Sequence, residues 1–100
     1  MTSSANWSGK EMTFNEALGF TVNQYLFAHH LTRKQLGELL GVTRTVVSKK
    51  IHGQVGWSAQ DVAVIAGRFG VPAGALMPKR SNGGWVPTLY MPSSDVTDSQ

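Results

Sequence analysis

Three polar side chains in the second half of the chain have the types that nucleophilic catalysis uses. Ser48, His52 and Asp61 are a nucleophile, a base and a carboxylate, the set found in a hydrolase triad. The sequence around them lacks both a nucleophile elbow and a glycine-rich oxyanion loop. His29 and His30 are adjacent, whereas two metal ligands on one helix usually lie three or four residues apart. We therefore expect no enzyme activity, no metal site and no cofactor.

The basic residues are the second group with evident chemistry, and most of them lie in the body of the chain. Residues 13–80 contain eight Lys and Arg against three Asp and Glu, a net charge of +5. Residues 81–100 contain only Asp95 and Asp98 as charged residues. An excess of positive charge favours a polyanionic partner. Four basic residues fit no motif, and we interpret them as solvated surface: Lys34, Arg68, Lys79 and Arg80.

Composition predicts one small domain that is stabilised by side-chain packing. Of the 100 residues, 41% are hydrophobic and none is cysteine, so the sequence offers neither disulfides nor thiolate ligands. The first twelve residues lack the pattern of a signal peptide, and no apolar run approaches the length of a membrane span. We therefore expect a cytoplasmic protein, in a bacterial host cell or on its nucleoid, with no membrane partner.

Capping residues and apolar periodicity predict the helices that position the basic residues. Thr13 with Glu16, and Thr32 with Gln35, form capping boxes at the start of two helices. A third helix follows Thr43, and a fourth follows Ser58. Residues 72–79, PAGALMPK, add a short last turn or helix. The predicted core residues recur at helical spacing: Phe14, Leu18, Val22, Tyr25, Leu26, Leu36, Leu39, Leu40, Val47, Ile51, Val62, Ile65, Ala66, Phe69, Leu76 and Met77.

These elements divide the chain into three parts. Residues 1–12 form a flexible N-terminal arm, residues 13–79 form the helical domain, and residues 80–100 form a C-terminal tail that is rich in Gly, Pro and Ser. The stretch WVPTLY in the tail is apolar and favours β structure, so a short strand or a packing segment is expected there.

A three-residue turn, Gly41-Val42-Thr43, separates the second and third helices. A turn of this length is typical of a helix–turn–helix unit, and Gly41 supplies the left-handed conformation that it requires. Gly37 provides a small residue where the two helices cross closely. Val47 on the third helix would pack back against the second.

The sequence TRKQLGELLGVTRTVVSKKIHG, together with one helix before it and two after it, resembles the Cro/phage-repressor (lambda-repressor-like) family. The resemblance covers about residues 13–78. It implies an all-α, five-helix domain that binds double-stranded DNA as a transcriptional regulator, either a phage-type repressor or a Cro-like protein that occupies an operator. It also implies binding as a homodimer, although this chain has no separate dimerisation domain. We therefore expect dimers that are weak or form only on DNA, or a monomer.

The resemblance also indicates which side chains of the third helix would face DNA bases. Positions that contact bases in the family correspond to Arg44, Thr45 and Lys49. Arg44 and Lys49 could donate to guanine O6 and N7, and Val46 could contact a thymine methyl group. Many relatives have an apolar residue where this chain has Lys50, and Ile51 takes that role here. This shift leaves Lys50 at the flank, available for a phosphate.

Phosphate contacts are expected around the start of the second helix and on both sides of the third, because backbone N–H groups at a helix N-terminus favour anions. Such contacts would give affinity without sequence information and would weaken with salt. The predicted phosphate-contacting residues are Thr32, Arg33, Gln35, Thr43, Lys50, His52 and Gln54.

Four aromatic residues have no place in this scheme. Phe20 and Phe27 share one face of the first helix, opposite the core stripe, and Trp85 and Tyr90 lie in the tail. Either the tail covers Phe20 and Phe27, or these aromatics form a surface for a second subunit or another protein. Two functional alternatives therefore stay open: an accessory DNA-binding protein, such as an excisionase or antitoxin, and a protein-interaction module, such as an antirepressor.

Overall fold

The computed structural model describes residues 12–90, and within them the chain forms four α-helices followed by a small hairpin. The helices are α1 (Phe14–Ala28), α2 (Arg33–Leu40), α3 (Arg44–Ile51) and α4 (Ala59–Phe69). A 3₁₀ turn (Ala73–Ala75) and two antiparallel strands, β1 (Lys79–Ser81) and β2 (Gly84–Val86), complete the order. No helix in this part of the chain is long and apolar enough to cross a membrane.

The helices begin where the capping residues predict. The side chains of Thr13, Thr32, Thr43 and Ser58 each accept a hydrogen bond from the backbone N–H three residues later. These bonds satisfy donors that would otherwise be unpaired at the first turn. The buried side chains form one core between the four helices, and the residues with no exposed surface include Leu18, Val22, Leu36, Val47, Ile65 and Leu76.

The turn between α2 and α3 has the predicted geometry. Gly41 ends α2 with φ 78° and ψ 28°, the left-handed conformation that glycine adopts without strain. A Cβ atom on Gly37 would lie 2.6 Å from the carbonyl oxygen of Val42. Gly37 is therefore required by the backbone of the turn itself, whereas the sequence suggested the crossing of α3 as the reason. Leu39 and Met77, which were predicted in the core, are instead exposed on the surface.

The chain after α4 differs from the predicted fifth helix. Residues 73–75 make a single 3₁₀ turn, and Leu76 and Pro78 are the buried residues of the stretch 72–79. The hairpin then returns to the start of α1, where Trp85 N donates to Met12 O at 3.1 Å and the Trp85 ring meets the Phe14 ring edge-on. The hairpin therefore packs beside the start of α1, and the described fold is mostly helical with one two-stranded sheet.

Residues 87–90 continue along α1 and are held by hydrogen bonds. Thr21 Oγ1 donates to Thr88 O at 2.6 Å, and Thr88 Oγ1 donates to Met77 O at 2.7 Å. Tyr90 N donates to Gln24 Oε1 at 3.3 Å. Residues 87–90 are therefore part of the packed fold. Residues 91–100 of the predicted tail and residues 1–11 of the predicted arm lie outside the described part.

Candidate nucleic-acid interface

Helix α3 has two faces of opposite character. Val47 and Ile51 are buried in the core, as their spacing predicts, and Lys50 is buried beside them. Arg44, Thr45 and Lys49 are exposed, and Val46 is half-buried at the edge of this face. The exposed face therefore carries two cations and one hydroxyl on a helix whose other side is fixed by the core.

Lys50 does not lie at the flank, and its prediction as a phosphate contact is wrong. Lys50 is 8% exposed, and its Nζ lies 2.8 Å from both Asp61 Oδ2 and the Gly56 carbonyl oxygen. The ammonium also lies 5.7 Å from the centre of the Trp57 ring. A buried ammonium needs such partners because desolvation of an unpaired charge is costly. Lys50 thus connects the end of α3 to the following loop and to α4.

Asp61 has a double role in this connection. Its Oδ2 accepts from Lys50 Nζ and from the Ser58 backbone N–H at 3.0 Å, which closes the capping box of α4. Burial acts to raise the pKa of Asp61, but the hydrogen bonds from Lys50 and Ser58 and the charge of Lys50 outweigh burial, so the pKa is lowered. The carboxylate is therefore held in its charged form.

The capping contacts limit what the predicted phosphate-contacting residues can offer. Thr32 Oγ1 accepts from Gln35 N at 3.0 Å and donates to Gln35 Oε1 at 3.2 Å, so this hydroxyl has no second proton for a phosphate. Thr43 Oγ1 accepts from Val46 N at 3.2 Å and keeps its own proton for another acceptor. The capping contacts at the start of α2 do not use the Gln35 amide nitrogen, and the exposed side chain of Gln54 lies in the loop after α3.

Arg33 joins the start of α2 to the neighbouring helices. Its Nη1 donates to Ser48 Oγ on α3 at 3.0 Å, and its Nη2 donates to Asn23 Oδ1 on α1 at 3.4 Å. Neither Ser48 nor Asn23 was predicted as a site residue. Ser48 could have been found from the sequence, because it lies one helical turn after Arg44 and Thr45. The position of Asn23 depends on how α1 and α2 pack, which no local pattern encodes.

The side chains considered for catalysis and metal binding are not assembled for either chemistry. His52 Nδ1 lies 2.9 Å from the backbone oxygen of Ser48, not from its hydroxyl, and Asp61 is bound to Lys50. The ring of His29 stacks on Tyr25. Within residues 12–90, no three His, Cys, Asp or Glu side chains form a group that could hold a metal ion.

The four unassigned aromatic residues separate into two pairs. Trp85 packs on Phe14, and the Tyr90 ring meets the Tyr25 ring edge-on with centroids 4.9 Å apart. Phe27 is 86% exposed and Phe20 is 37% exposed. The described part of the tail therefore packs on Phe14 and Tyr25 and leaves Phe27 exposed, while residues 91–100 of the tail lie outside the described part.

The α2–turn–α3 geometry defines a helix–turn–helix domain, and solved structures share this fold. ClgR, a clp gene regulator from Corynebacterium glutamicum, matches with a TM-score of 0.62 and 21% identity, over 67% of this chain and 71% of that chain. The restriction-modification controller protein C.AhdI from Aeromonas hydrophila matches with a TM-score of 0.56 and 21% identity, over 62% and 90%. The DNA-binding domain of BldD matches with a TM-score of 0.56 and 21% identity, over 78% and 100%.

The family is shown by the sequence itself: the chain belongs to the BetR domain family, whose model matches residues 13–99. This match begins at the cap of α1 and continues beyond the hairpin, so the segment after residue 79 falls within the family domain. Among curated proteins, none matches the chain.

Proposed function

We propose that this BetR-domain protein is a transcriptional regulator that binds double-stranded DNA at a specific sequence. The observation that carries the proposal is the exposed face of α3, where Arg44, Thr45 and Lys49 project from a helix that is fixed from behind by Val47 and Ile51. A helix of this kind can lie in the major groove and present its N-terminal side chains to base edges. The fold shared with ClgR, C.AhdI and the DNA-binding domain of BldD supports this role.

The chemistry of the proposed contacts follows from the donors on this face. Arg44 presents a planar, two-pronged donor that matches O6 and N7 of guanine, and Lys49 can donate to the same atoms. Thr45 discriminates less because one hydroxyl both donates and accepts. Val46 offers an apolar edge to a thymine methyl group. Within the described residues, Lys50 has the only ion pair, so Arg44 and Lys49 keep their charge for DNA.

Phosphate contacts would flank this helix and add affinity that depends on salt. Arg33 and Gln35 lie at the start of α2, and Thr43, His52 and Gln54 lie at the two ends of α3. We propose that these residues bind DNA phosphates on either side of the major groove. Each phosphate that a cation such as Arg33 neutralises would release counterions from the DNA, so the affinity would fall as salt rises.

The finer role that we propose is that of a phage-type repressor or Cro-like protein that blocks a promoter by occupying its operator. It would act in the cytoplasm, on the nucleoid. Binding to two half-sites about one helical turn apart would require a homodimer, weak or formed on DNA. An excisionase-like or antitoxin-like accessory role uses the same surface and differs in its genetic context.

The experiment is a selection from random double-stranded DNA, followed by binding measurements on the selected site and a scrambled site at two salt concentrations. Arg44→Ala and Lys49→Ala should each weaken binding to the selected site by about 1–3 kcal/mol and should reduce the preference over the scrambled site. Arg68→Ala, a cation in the last turn of α4, is the matched control and should change neither. An unchanged preference in both α3 variants would refute the proposed recognition surface.

A protein-interaction module is the second candidate, and the exposure of Phe27 favours it. Phe27 is 86% exposed and Phe20, seven residues earlier on the same helix, is 37% exposed, and apolar side chains that share an exposed surface mark contacts with other proteins. An antirepressor would use Phe20 and Phe27 to bind another protein. If the selection yields no DNA sequence, while Phe27→Ser abolishes binding to an identified protein, this second candidate replaces the first.

A further inference from the structure

The side chain of Arg33 connects its own helix to two others. It is the first residue of α2, its Nη1 donates to Ser48 Oγ on α3, and its Nη2 donates to Asn23 Oδ1 on α1. The two distances are 3.0 Å and 3.4 Å. A surface arginine normally samples many rotamers, whereas this guanidinium is held in one orientation between α1 and α3.

Both acceptors are neutral, and this leaves the positive charge of Arg33 uncompensated. Glu16 lines the same open groove as Arg33 and is the one carboxylate among its lining residues. Its Oε1 accepts from Thr13 N at 2.9 Å in the capping box of α1. Glu16 makes this capping contact and no ion pair with Arg33, and within residues 12–90 Arg33 lacks an ion pair.

The guanidinium also has donors to spare. It carries five N–H groups in one plane, and Ser48 and Asn23 use two of them. The remaining three lie in the same plane and include Nε. Arg33 is half-buried and lines an open groove together with Asn23 and His52, so part of the guanidinium remains open to solvent. A planar pair of N–H groups with a fixed direction matches two oxygens of one phosphate.

We propose that Asn23 and Ser48 are positioning residues that hold Arg33 as a preset two-pronged donor to a single DNA phosphate. This inference rests on the proposed DNA-binding function, and it gives the uncharged residues Asn23 and Ser48 a role in DNA binding. Because Ser48 lies on α3, the same contact sets the position of the base-reading helix relative to that phosphate. Asn23 and Ser48 would thus affect both the affinity and the register of the complex.

The test uses the full chain and the DNA site obtained by selection, with dissociation constants measured over a range of salt concentrations. Asn23→Ala combined with Ser48→Ala should weaken binding by about tenfold, within the range observed for directly coupled side chains. The slope of log affinity against log salt should also fall by up to about 0.9, the value of one phosphate contact. A variant that is only less stable keeps all its charges, so its salt slope should equal that of the wild type.

Three further variants separate positioning from charge and from folding. Starting from Arg33→Ala, the changes at Asn23 and Ser48 should have no additional effect, because the group that they orient is gone. Ser48→Thr keeps a hydroxyl and should retain near wild-type binding. Arg33→Lys keeps the charge but cannot contact both acceptors and a phosphate in one plane, so it should resemble the Asn23/Ser48 double variant. Lys34→Ala, at the next exposed cation, is the control.

The outcomes are distinguishable from failure of the proposed function itself. If the wild-type chain selects no DNA, the function and this inference both fail. If the wild-type chain binds DNA, but the effects of Arg33→Ala and the Asn23/Ser48 changes add, or the salt slope is unchanged in the double variant, the inference alone is overturned. Thermal unfolding midpoints that stay within a few degrees of wild type would show that each variant is folded.

Discussion

Replacement of Asp61 by alanine removes the partner of the buried ammonium of Lys50. The exposed fractions of the two side chains are 10% for Lys50 and 14% for Asp61, and Oδ2 lies 2.8 Å from Nζ. In Asp61→Ala, Lys50 Nζ keeps the Gly56 carbonyl oxygen, at 2.8 Å, and the Trp57 ring, whose centre lies 5.7 Å away. Removal of one member of a fully buried pair costs about 3–5 kcal/mol. Neither side chain is fully buried and the lysine stem can turn toward water, so we expect about 2–3 kcal/mol from this source.

The same substitution breaks the capping box of α4. Asp61 accepts from the Ser58 backbone N–H, and loss of a capping contact costs about 0.5–1 kcal/mol. The free energy of unfolding should therefore fall by about 3 kcal/mol in total, which lowers the melting temperature of a domain of this size by about 12–24 °C. Lys50→Met keeps the stem volume and leaves Asp61 with Ser58, so we expect a smaller loss of about 1–2 kcal/mol.

The effect depends on pH in a direction that follows from the lowered pKa of Asp61. A carboxyl whose pKa is lower in the folded state contributes stability above its ordinary value of 3.8, and this contribution disappears as the pH falls through the lowered value. The difference between wild type and Asp61→Ala should be largest near neutral pH and should shrink below pH 3.8.

Urea unfolding followed by circular dichroism, at pH 7 and at steps below pH 4, measures both quantities. Glu38→Ala is the control, since Glu38 is an exposed carboxylate on α2 and should change the free energy of unfolding by less than about 0.5 kcal/mol. If Asp61→Ala costs no more than Glu38→Ala at pH 7, the contact between Lys50 and Asp61 does not stabilise the fold and the reasoning is refuted.

Two other predictions concern stability. Gly37→Ala should lower the free energy of unfolding by about 1–3 kcal/mol, because the new Cβ would lie 2.6 Å from Val42 O. At Gly67 a new Cβ meets nothing within 4 Å, so Gly67→Ala should raise the free energy of unfolding by about 0.5–1 kcal/mol. Chemical unfolding measures both changes, and equal effects of the two substitutions would contradict this account. Burial, and to a smaller extent the neighbouring Tyr90, raises the pKa of Tyr25 above 10.0. The stability that the neutral Tyr25 side chain contributes is therefore present below pH 10.0 and is lost as the pH rises through the raised value. The Tyr25→Phe variant should lose less stability than wild type over this pH range, and parallel pH profiles of the two proteins would contradict this prediction.

Much of the helical framework follows from local sequence. Thr13 and Thr32 begin helices because their side chains cap the first turn, and Gly41 ends α2 because a left-handed residue is needed there. The burial of Val47 and Ile51 follows from their spacing of four residues, which places them on one face of α3. Each of these features depends on residues within a few positions, so the sequence alone is sufficient to predict them.

The predictions failed where the position of a side chain depends on a distant element. The helical pattern placed Lys50 at the edge of α3, but α4 brings Asp61 to within 2.8 Å of its ammonium. Leu39 fits the apolar stripe of α2, yet within residues 12–90 its side chain is exposed. Residues 73–75 form one 3₁₀ turn, the shorter of the two forms that the sequence allowed, and Pro78 disfavours helical conformation at the residue before it.

The sequence by itself determined the helix starts, the glycine turn and the face of α3 on which Arg44, Thr45 and Lys49 lie, because capping and periodicity act over one or two helical turns. Only the tertiary structure decided that Lys50 is a buried ion-pair partner, that residues 79–90 cover one side of α1, and that Arg33 is held between α1 and α3. These contacts join residues 10 to 67 positions apart, and the packing of whole helices, not any local pattern, brings them together.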